Sequence, residues 1–252
     1  MVVIDKQEAA VEMTDDARSP NQPGWLRVGN GAQPLAVNEG PRDWLFAGVD
    51  EVFRGIYTRA GLGFSSEVVA VCSAIRGEGK TTVSIGMGVT LAQDFPDMRV
   101  LIVETDVNNP VLATDFDVAP NPGLIDCVHT GAALQDAYRP TFLDNLHVAP
   151  VGGPLRGAGR IMRSVRMASA IDAMRQTHDI IILDIPPILV DSDSVLLTDL
   201  ADGVIHVVRA GVTPLDIINK GISQLDAEKL RGVVLNGSDS AVPAWIRRMW
   251  AH

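Results

Sequence analysis

A glycine-rich segment directly follows a short apolar run in this chain of 252 residues. Residues 73–82 read Ser-Ala-Ile-Arg-Gly-Glu-Gly-Lys-Thr-Thr, and a helical pattern comes next. Glycines let main-chain N–H groups close around phosphate oxygens, and a helix N-terminus adds partial positive charge. The segment therefore predicts a phosphate-binding loop. The expected nucleotide contacts are Gly77, Glu78, Gly79, Lys80, Thr81 and Thr82.

Two side chains of this loop carry its chemistry. We expect Lys80 to reach the β- and γ-phosphates and the hydroxyl of Thr81 to bind Mg²⁺. Ala74 stands where the common pattern has its first glycine. The alternative is a strand-to-helix turn without a ligand. The order of strand, loop, Gly-Lys-Thr and helix favours the nucleotide site.

Two carboxylates, Glu104 and Asp106, follow the next apolar run. Side chains two residues apart on a strand point to the same face, so both would lie beside the loop. There they are suited to hold water on Mg²⁺ and to accept a proton. The alternative is turn formation, because Asn108, Asn109 and Pro110 come next and such residues are common in turns.

A further carboxylate, Asp184, comes directly after another aliphatic run. In nucleotide sites of this class, a carboxylate at that place is the usual second Mg²⁺ anchor. The alternative role is a helix cap, but Pro186 and Pro187 make the exit from the strand rigid and non-helical. We therefore expect Thr81, Asp106 and Asp184 to bind the metal.

Short, unbroken aliphatic runs alternate with segments of helical character from residue 68 onward. The runs lie at 68–72, 100–103, 146–148, 180–183, 204–208 and 233–235. Strands of this kind are buried on both faces, as in a parallel sheet covered by helices. The pattern predicts the α/β class with a doubly wound, mostly parallel sheet. Ligands bind at the carboxyl ends of such strands, where the candidate residues occur.

The two ends of the chain differ from this domain. Residues 17–42 hold four Pro and four Gly with few aliphatic residues, which predicts a disordered tail over residues 1–42. We expect one domain over residues 43–252, opening with an amphipathic helix that ends near Gly61. Residues 245–250, from Trp245 to Trp250, mix aromatics with arginines and predict a short amphipathic helix. It would either pack on the domain or lie at a membrane interface.

Charge and cysteine content exclude several classes of protein. The formal net charge of -10 repels phosphate backbones, so we expect no nucleic-acid partner. Two cysteines are too few for a disulfide framework or a zinc site. No apolar run approaches the roughly 18–20 residues that span a bilayer, and the N-terminus lacks a secretory signal. We expect a cytoplasmic protein.

Three segments together resemble the Walker elements of the bacterial tyrosine kinases of the CpsD/CapB type, within the MinD/ParA group of P-loop ATPases. They are the phosphate loop, the Glu-Thr-Asp-Val-Asn-Asn-Pro segment and the Leu-Asp-Ile-Pro-Pro segment. The resemblance extends from residue 43 to the C-terminus and implies the P-loop NTPase fold, with ATP and Mg²⁺ as cofactors. By this resemblance Lys80 and Thr81 bind nucleotide and Mg²⁺, Asp106 and Asp184 hold the metal, Glu104 deprotonates a substrate tyrosine, and Asn236 lies near the adenine.

This chain departs from the family's pattern at several points. Glu104 stands where the family usually has Asp, and Asn108 stands where it has arginine. The family's C-terminal tyrosine cluster is absent, because the only tyrosines are Tyr57 and Tyr138. We therefore expect phosphorylation of a tyrosine in trans, or ATP hydrolysis without a protein acceptor.

The resemblance also implies partners. The family acts with a transmembrane polysaccharide co-polymerase (Wzz-like) as activator, which would place this chain at the inner face of the cell membrane. The helix that carries Glu51 and Arg54 is similar to the family's E-x-x-R-x-x-R oligomerisation motif, with Tyr57 in place of the second arginine. A homo-oligomer formed through this helix is the expectation.

Three functions stay open at this point. The first is an ATP-dependent tyrosine kinase that regulates exopolysaccharide or capsule production and export. The second is a MinD/ParA-like ATPase switch, although Ile75 stands where that group typically carries a lysine. The third is a nucleotide-sensing scaffold with degraded kinase activity.

One further pattern lies outside these motifs. Arginines recur at spacings of four, three and three, which on a helix makes one basic stripe. They are Arg156, Arg160, Arg163 and Arg166. The stripe is either a solvated helix face or an interface with an acidic neighbour or anionic partner.

Overall fold

The computed structural model describes residues 2–4, 50–63 and 66–237. Each of the six aliphatic runs predicted to be strands lies within a strand of the structure. The strands are β1 Val2–Ile4, β2 Glu67–Ser73, β3 Val100–Glu104, β4 Arg139–Pro140, β5 Leu146–Ala149, β6 Ile180–Asp184, β7 Gly203–Arg209 and β8 Leu230–Asn236. The helices are α1 Asp50–Arg59, α2 Lys80–Asp94, α3 Leu112–Asp115, α4 Leu124–Thr130, α5 Ala158–Met162, α6 Val165–Met174, α7 Ser194–Asp199 and α8 Leu215–Ile222.

The strands form one sheet in the order β1-β8-β7-β2-β6-β3-β5-β4. The six strands from β8 to β5 in this order run parallel, and β1 and β4 pair antiparallel at the two edges. The chain leaves the central strand β2 toward β3 on one side and later adds β7 on the other. The predicted doubly wound α/β architecture is confirmed, and its switch point lies at the end of β2.

Helices cover both faces of the sheet, which explains the continuous aliphatic runs. Every residue of β2, β3 and β6 is buried. One core layer lies between the sheet and helices α1 and α2, and the other lies beneath α4, α6 and α7. Neither face of these strands meets water, so alternation of polar and apolar residues gives way to unbroken Val, Ile and Leu.

Helix α2 is enclosed between the sheet and α1, and two glycines make this possible. A Cβ on Gly86 would lie 2.1 Å from the ring of Phe53, and a Cβ on Gly88 would lie 2.6 Å from Ile102. Glycine costs about 1 kcal/mol of helix propensity relative to alanine. The close approach of α1 on one side and β3 on the other requires it here. This packing fixes α2, whose first turn follows the phosphate loop.

Helix α1 binds α2 through a partly exposed polar cluster centred on Asp94. Arg54 donates to both Asp94 oxygens, at 2.6 and 2.7 Å, and the Tyr57 hydroxyl donates to the same carboxylate. The hydrogen bonds from Arg54 lower the pKa of Asp94, and burial together with Asp94 raises the pKa of Tyr57 to about 12. The Arg54 and Tyr57 positions of the predicted oligomerisation motif thus bind within their own chain, and the oligomer stays a prediction.

The predicted tail contains one described element. Val2–Ile4 pairs antiparallel with β8 and extends the sheet at that edge. The rest of residues 1–42, residues 43–49 of the first predicted helix, and the predicted helix from Trp245 to Trp250 lie outside the described residues. Among the described residues, no helix combines the length and apolar character that a membrane crossing needs.

A buried histidine lies across the central strand pair, beneath the start of the phosphate loop. His206 on β7 faces Cys72 on β2, with 3.6 Å between Nδ1 and Sγ, and both side chains are fully buried. Nε2 of His206 has no hydrogen-bond partner in the described part of the chain. Burial lowers the pKa of His206 to about 4. The ring is therefore neutral in the folded protein at neutral pH.

We expect this histidine to make stability depend on pH. The unfolded chain takes up the proton near pH 6.5 and the folded chain only near pH 4. Stability should therefore fall as pH drops from 6.5 to 4, by up to about 1.4 kcal/mol per pH unit. His206→Leu should reduce this slope in urea titrations and leave the share of His178, whose pKa burial also lowers to about 4, whereas His129→Gln, at an exposed position, should leave the slope unchanged. An unchanged slope in H206L would contradict the assignment.

The Asp94 cluster predicts how α1 is held. Asp94→Asn removes the charge that accepts from Arg54 and Tyr57, so we expect the Tm to fall by a few degrees. Thermal melts followed by circular dichroism measure the change. Asp97→Asn, at an exposed position just after α2, is the matched control. Equal melting of D94N and the unaltered chain would show that α1 docks by apolar packing alone.

Candidate functional site

The phosphate loop joins the central strand β2 to helix α2. Gly77 has φ of 81° and Gly79 has φ of 92°, a region that side chains with a Cβ rarely adopt. Because α2 begins at Lys80, its first N–H groups, including those of Thr81 and Thr82, have no earlier helical carbonyl to bind. They supply the donors and partial positive charge that a phosphate needs.

Asn236, at the end of β8, binds the phosphate loop through its side-chain amide. Its Nδ2 donates to the carbonyl of Glu78 at 2.9 Å. A Cβ on Gly79 would lie 1.9 Å from that same nitrogen, so only glycine allows the amide to approach. Asn236 thus contacts the loop directly, and its expected place near the adenine stays a prediction.

Glu78 turns its side chain into the protein. Its Oε2 accepts from the Ile75 N–H at 2.8 Å, and its Oε1 accepts from the Thr213 hydroxyl at 2.7 Å and the Arg209 N–H at 3.4 Å. The side chain is 1% exposed. The expectation that Glu78 contacts nucleotide is therefore corrected for its side chain. The carboxylate braces the loop against the segment after β7, and a free carboxylate facing phosphates would repel them.

Lys80 lies between two carboxylates. Its Nζ is 3.3 Å from Oδ2 of Asp106 and 3.5 Å from Oδ1 of Asp184. The Thr81 hydroxyl donates to Asp184 Oδ2 at 2.7 Å. The predicted ammonium, hydroxyl and two carboxylates thus meet at one point. This oxygen-rich set suits Mg²⁺, which is commonly held by one or two carboxylates together with substrate phosphates.

Asp184 is a buried charge with several partners. Its side chain is 1% exposed, and burial raises its pKa while Lys80 and Thr81 act to lower it. Ser84, one turn into α2, places its hydroxyl 3.4 Å from Oδ1. Sequence reasoning missed Ser84. Its spacing of three residues from Thr81 on one helix face was the available signal.

Parallel pairing of β3 with β6 sets the distance between the two carboxylate segments. Glu104 lies in register with Asp184, and Thr105 donates its N–H and its hydroxyl to the Asp184 carbonyl. Beyond this point Asp106 Oδ1 accepts from the N–H groups of Asn108 and Asn109, at 3.2 and 3.1 Å. The turn chemistry expected as an alternative therefore exists, and it orients Asp106 while Oδ2 faces Lys80.

Glu104 does not share the site with Asp106. Its Oε1 accepts from the N–H groups of Val111 and Leu112, at 2.5 and 2.9 Å, and its Oε2 accepts from the Val151 N–H at 3.1 Å. The side chain is 1% exposed, and burial raises its pKa against the lowering effect of these three bonds. The geometry is that of an anchor that ties β3 to the start of α3 and the end of β5.

This placement corrects the expectation that Glu104 removes a proton from the substrate. A general base needs a free oxygen within hydrogen-bond reach of the reacting hydroxyl, and both Glu104 oxygens are occupied by main-chain donors. Sequence spacing put the residue on the correct strand, but only packing decided where its carboxylate points.

Comparison with known proteins assigns this chain to a family. A protein-family model described as an AAA domain matches residues 66–228, well over half of the chain. The chain belongs to this family. The matched residues of this AAA domain include the phosphate loop and both carboxylate segments.

Relatives of this AAA domain include named tyrosine kinases. This chain is 27% identical over 200 residues to the tyrosine-protein kinase CpsD of Streptococcus agalactiae, and the match covers 78% of this chain and 85% of that protein. It is also 27% identical over 182 residues to the succinoglycan biosynthesis transport protein ExoP of Rhizobium meliloti, covering 70% of this chain and 23% of ExoP. The predicted resemblance to the CpsD/CapB type is confirmed.

Solved structures confirm the P-loop NTPase fold. The chimerical protein CapA2B2 superimposes with a TM-score of 0.71 at 25% identity, over 79% of this chain and 88% of that chain. The septum site-determining protein MinD of Pyrococcus horikoshii, complexed with Mg-ADP, superimposes with a TM-score of 0.56 at 22% identity, over 73% and 76% of the two chains. At that identity, the likeness to MinD concerns the fold.

The Glu104 anchor leads to a test. In Glu104→Gln one carboxylate oxygen becomes an NH2 group, so at least one of the three main-chain N–H groups loses its acceptor and faces a donor, and we expect a loss of about 1–3 kcal/mol of stability in urea titrations. A general base would behave differently, with phosphoryl transfer falling roughly 10²–10⁴-fold at unchanged stability. Glu228→Gln, at an exposed position, is the control. Unaltered stability of E104Q would contradict the anchor.

Proposed function

We propose that this AAA domain is an ATP-dependent protein tyrosine kinase of the bacterial type, regulating exopolysaccharide or capsule biosynthesis and export. The observation that carries the proposal is the convergence of Lys80 on Asp106 and Asp184 at the phosphate loop, within 3.5 Å of both carboxylates. The similarity to CpsD, whose name states this activity, supports the choice of reaction. The similarity to ExoP supports the link to polysaccharide export.

The residues at the loop suit ATP with Mg²⁺. The first-turn N–H groups of α2 and the Lys80 ammonium would hold the β- and γ-phosphates, while Thr81, Asp106 and Asp184 would hold the metal. Bound there, Mg²⁺ would neutralise the charge on the β- and γ-phosphate oxygens. Lys80 then exchanges its carboxylate partners for phosphate oxygens, so that the positive charges of the site face the transferring group.

Transfer depends mainly on positioning and on charge stabilisation. Phosphoryl transfer passes through a loose transition state, in which the protein's task is to hold the reactants in line and to stabilise the equatorial oxygens. Lys80 provides that stabilisation in a site whose carboxylates are almost fully buried. Asp106, whose Oδ2 accepts no main-chain N–H from the described residues and would be released from its pairing with Lys80 when phosphate binds, is the carboxylate we assign to receive the acceptor's proton.

The acceptor tyrosine would belong to another protein. Tyr57 is 5% exposed and donates its hydroxyl to Asp94. Tyr138 is half-buried, with its ring edge-on to His178 at 5.1 Å between centroids, and burial raises its pKa. The sequence contains no other tyrosine. Both hydroxyls belong to the domain's own packing, which favours transfer in trans.

The proposed kinase works with a membrane partner. We expect a transmembrane polysaccharide co-polymerase to act as activator and to hold the chain at the inner face of the membrane. The match to a 23% portion of ExoP is typical of a domain that also occurs within a longer transport protein. The homo-oligomer would form around α1, whose Glu51 remains exposed.

A second candidate function is ATP hydrolysis without a protein acceptor. The position of Glu104 favours it, because the carboxylate expected to activate the tyrosine is bonded to three main-chain N–H groups. The chain would then act as a nucleotide switch or a nucleotide-sensing scaffold. Both candidates need the same ATP and Mg²⁺, so binding alone does not distinguish them.

Phosphotyrosine formation tests the proposed kinase. We expect the purified full chain with ATP, Mg²⁺ and its cognate co-polymerase to place phosphate on tyrosine, detected by mass spectrometry. Lys80→Met should reduce the rate by roughly 10²-fold or more, because it removes charge stabilisation in the transition state. Lys220→Met, at an exposed position on α8, is the matched control.

The outcomes separate the candidates. ATP hydrolysis that disappears in K80M, without phosphotyrosine on any protein, would overturn the kinase and support the switch. Tight ATP binding without turnover would support the scaffold. Calorimetry that detects no ATP binding in the presence of Mg²⁺ would contradict all three.

A further inference from the structure

The four arginines of the predicted stripe do not share one helix: Arg160 lies on α5 and Arg166 on α6, whereas Arg156 precedes α5 and Arg163 lies between the two helices. Helix α5 ends at Met162, and Ser164 caps the start of α6 by accepting from the Met167 N–H at 3.3 Å. The prediction of a single helix is therefore corrected. All four side chains nevertheless remain exposed, and Arg160 and Arg166 line one cavity. We call them the arginine surface: Arg156, Arg160, Arg163 and Arg166.

Three of these four charges are not neutralised by the domain. Arg163 pairs with Asp193, with 2.6 Å between Nη1 and Oδ1. Within residues 50–63 and 66–237, Arg156 and Arg160 have no carboxylate partner, and Arg166 donates only to the His129 carbonyl, at 3.2 Å. In a chain of net charge -10, an exposed cluster of this kind repels other basic surfaces and attracts an acidic one.

Two residues of the arginine surface, Arg160 and Arg166, line a surface cavity. Its volume is about 290 Å³, and it is lined by Val128, His129, Arg160, Ile161, Ser164 and Arg166. Val165, which lies in sequence between the lining residues Ser164 and Arg166, is 83% exposed. Apolar contact area beside the guanidinium groups of Arg160 and Arg166 suits a side chain with an apolar stem and a charged end, such as glutamate in an extended segment.

Polar contacts connect this surface to the candidate active site. Asp193, the partner of Arg163, donates its N–H to Asp191 at 2.9 Å. Asp191 in turn accepts from the side-chain amide of Asn108 at 3.3 Å. Asn108 donates its N–H to Asp106, which faces Lys80. Arg163 of the arginine surface is therefore linked, through Asp193, Asp191 and Asn108, to the edge of the sheet where the phosphate loop and both metal carboxylates lie.

We propose that the arginine surface docks an acidic segment of the acceptor protein and presents the adjacent tyrosine to the site. The proposal rests on the proposed kinase function and names its class of substrate, a tyrosine flanked by Asp or Glu. Charge complementarity and the contacts through Asp193, Asp191 and Asn108 support it. The overall negative charge of the chain disfavours acidic segments at its acidic surfaces, so the arginine surface also selects where such a segment binds.

Peptide binding tests the proposal without requiring catalysis. The probe is a short fluorescent peptide with one Tyr between Glu residues, compared with the same peptide carrying Lys for Glu. Fluorescence anisotropy with the full chain should show binding of the acidic peptide alone, weakening as salt is added. Charge reversal of Arg156, Arg160 and Arg166 to Glu should weaken binding about tenfold or more, because attraction becomes repulsion.

Matched controls separate the docking surface from net charge and folding. The control variant reverses Arg59, Arg99 and Lys220 to Glu, which changes the net charge equally at other exposed positions. It should lose far less affinity than the arginine-surface variant. If the arginine-surface variant does not fold by circular dichroism, the triple change to Gln and the salt dependence of the unaltered chain provide the same test. Equal binding of the Glu and Lys peptides would overturn the proposal.

The assay also distinguishes this proposal from the kinase function. If both peptides are phosphorylated with equal KM, the kinase stands and the docking surface is overturned. If the acidic peptide binds through the three arginines but no tyrosine is phosphorylated, docking stands as an acidic-partner site and the kinase fails. Binding to vesicles of anionic lipid that is lost in the charge reversal, while peptide binding is retained, would assign the surface to a membrane and overturn the proposal.

Discussion

The site depends on holding two buried carboxylates beside one ammonium group. Asp106 and Asp184 are each less than 5% exposed, and two such charges together are costly without compensation. Lys80 supplies one opposite charge, and the hydroxyls of Thr81 and Ser84 supply hydrogen bonds. The same groups match a phosphate and its divalent cation, so the forces that stabilise the loop in this structure also prepare it for nucleotide.

Two buried glutamates stabilise the segments that carry this arrangement. Glu78 ties the phosphate loop to the segment after β7, and Glu104 ties β3 to the start of α3 and the end of β5. Each uses buried carboxylate oxygens to satisfy main-chain N–H groups that have no strand or helix partner. Loops at the carboxyl edge of a parallel sheet need such acceptors because no neighbouring strand reaches them. The precision of the site therefore depends on residues that never face the ligand.

Sheet order explains why groups from distant segments meet. Strand β6 lies between β2 and β3, although it follows both in sequence. Asp184 is consequently inserted between the phosphate loop and Asp106. The β3–β6 register fixes its position along the strand direction, level with Glu104. The loop that leaves β6 then extends toward α5 through Asp191 and Asp193. A single strand insertion thus links nucleotide chemistry to the exposed arginines at the outer edge.

The sequence by itself determined the strands, the parallel α/β class, the phosphate loop and the carboxylates Asp106 and Asp184. Those features are local: unbroken aliphatic runs indicate burial on both faces, and glycines before Lys-Thr indicate a phosphate-binding turn. Only the tertiary structure decided that Glu78 and Glu104 point inward, that Arg54 and Tyr57 bind Asp94 of their own chain, and that the four arginines do not share one helix. The direction of a side chain depends on which hydrogen-bond donors other segments bring within reach. The spacing of residues along one segment does not reveal those donors.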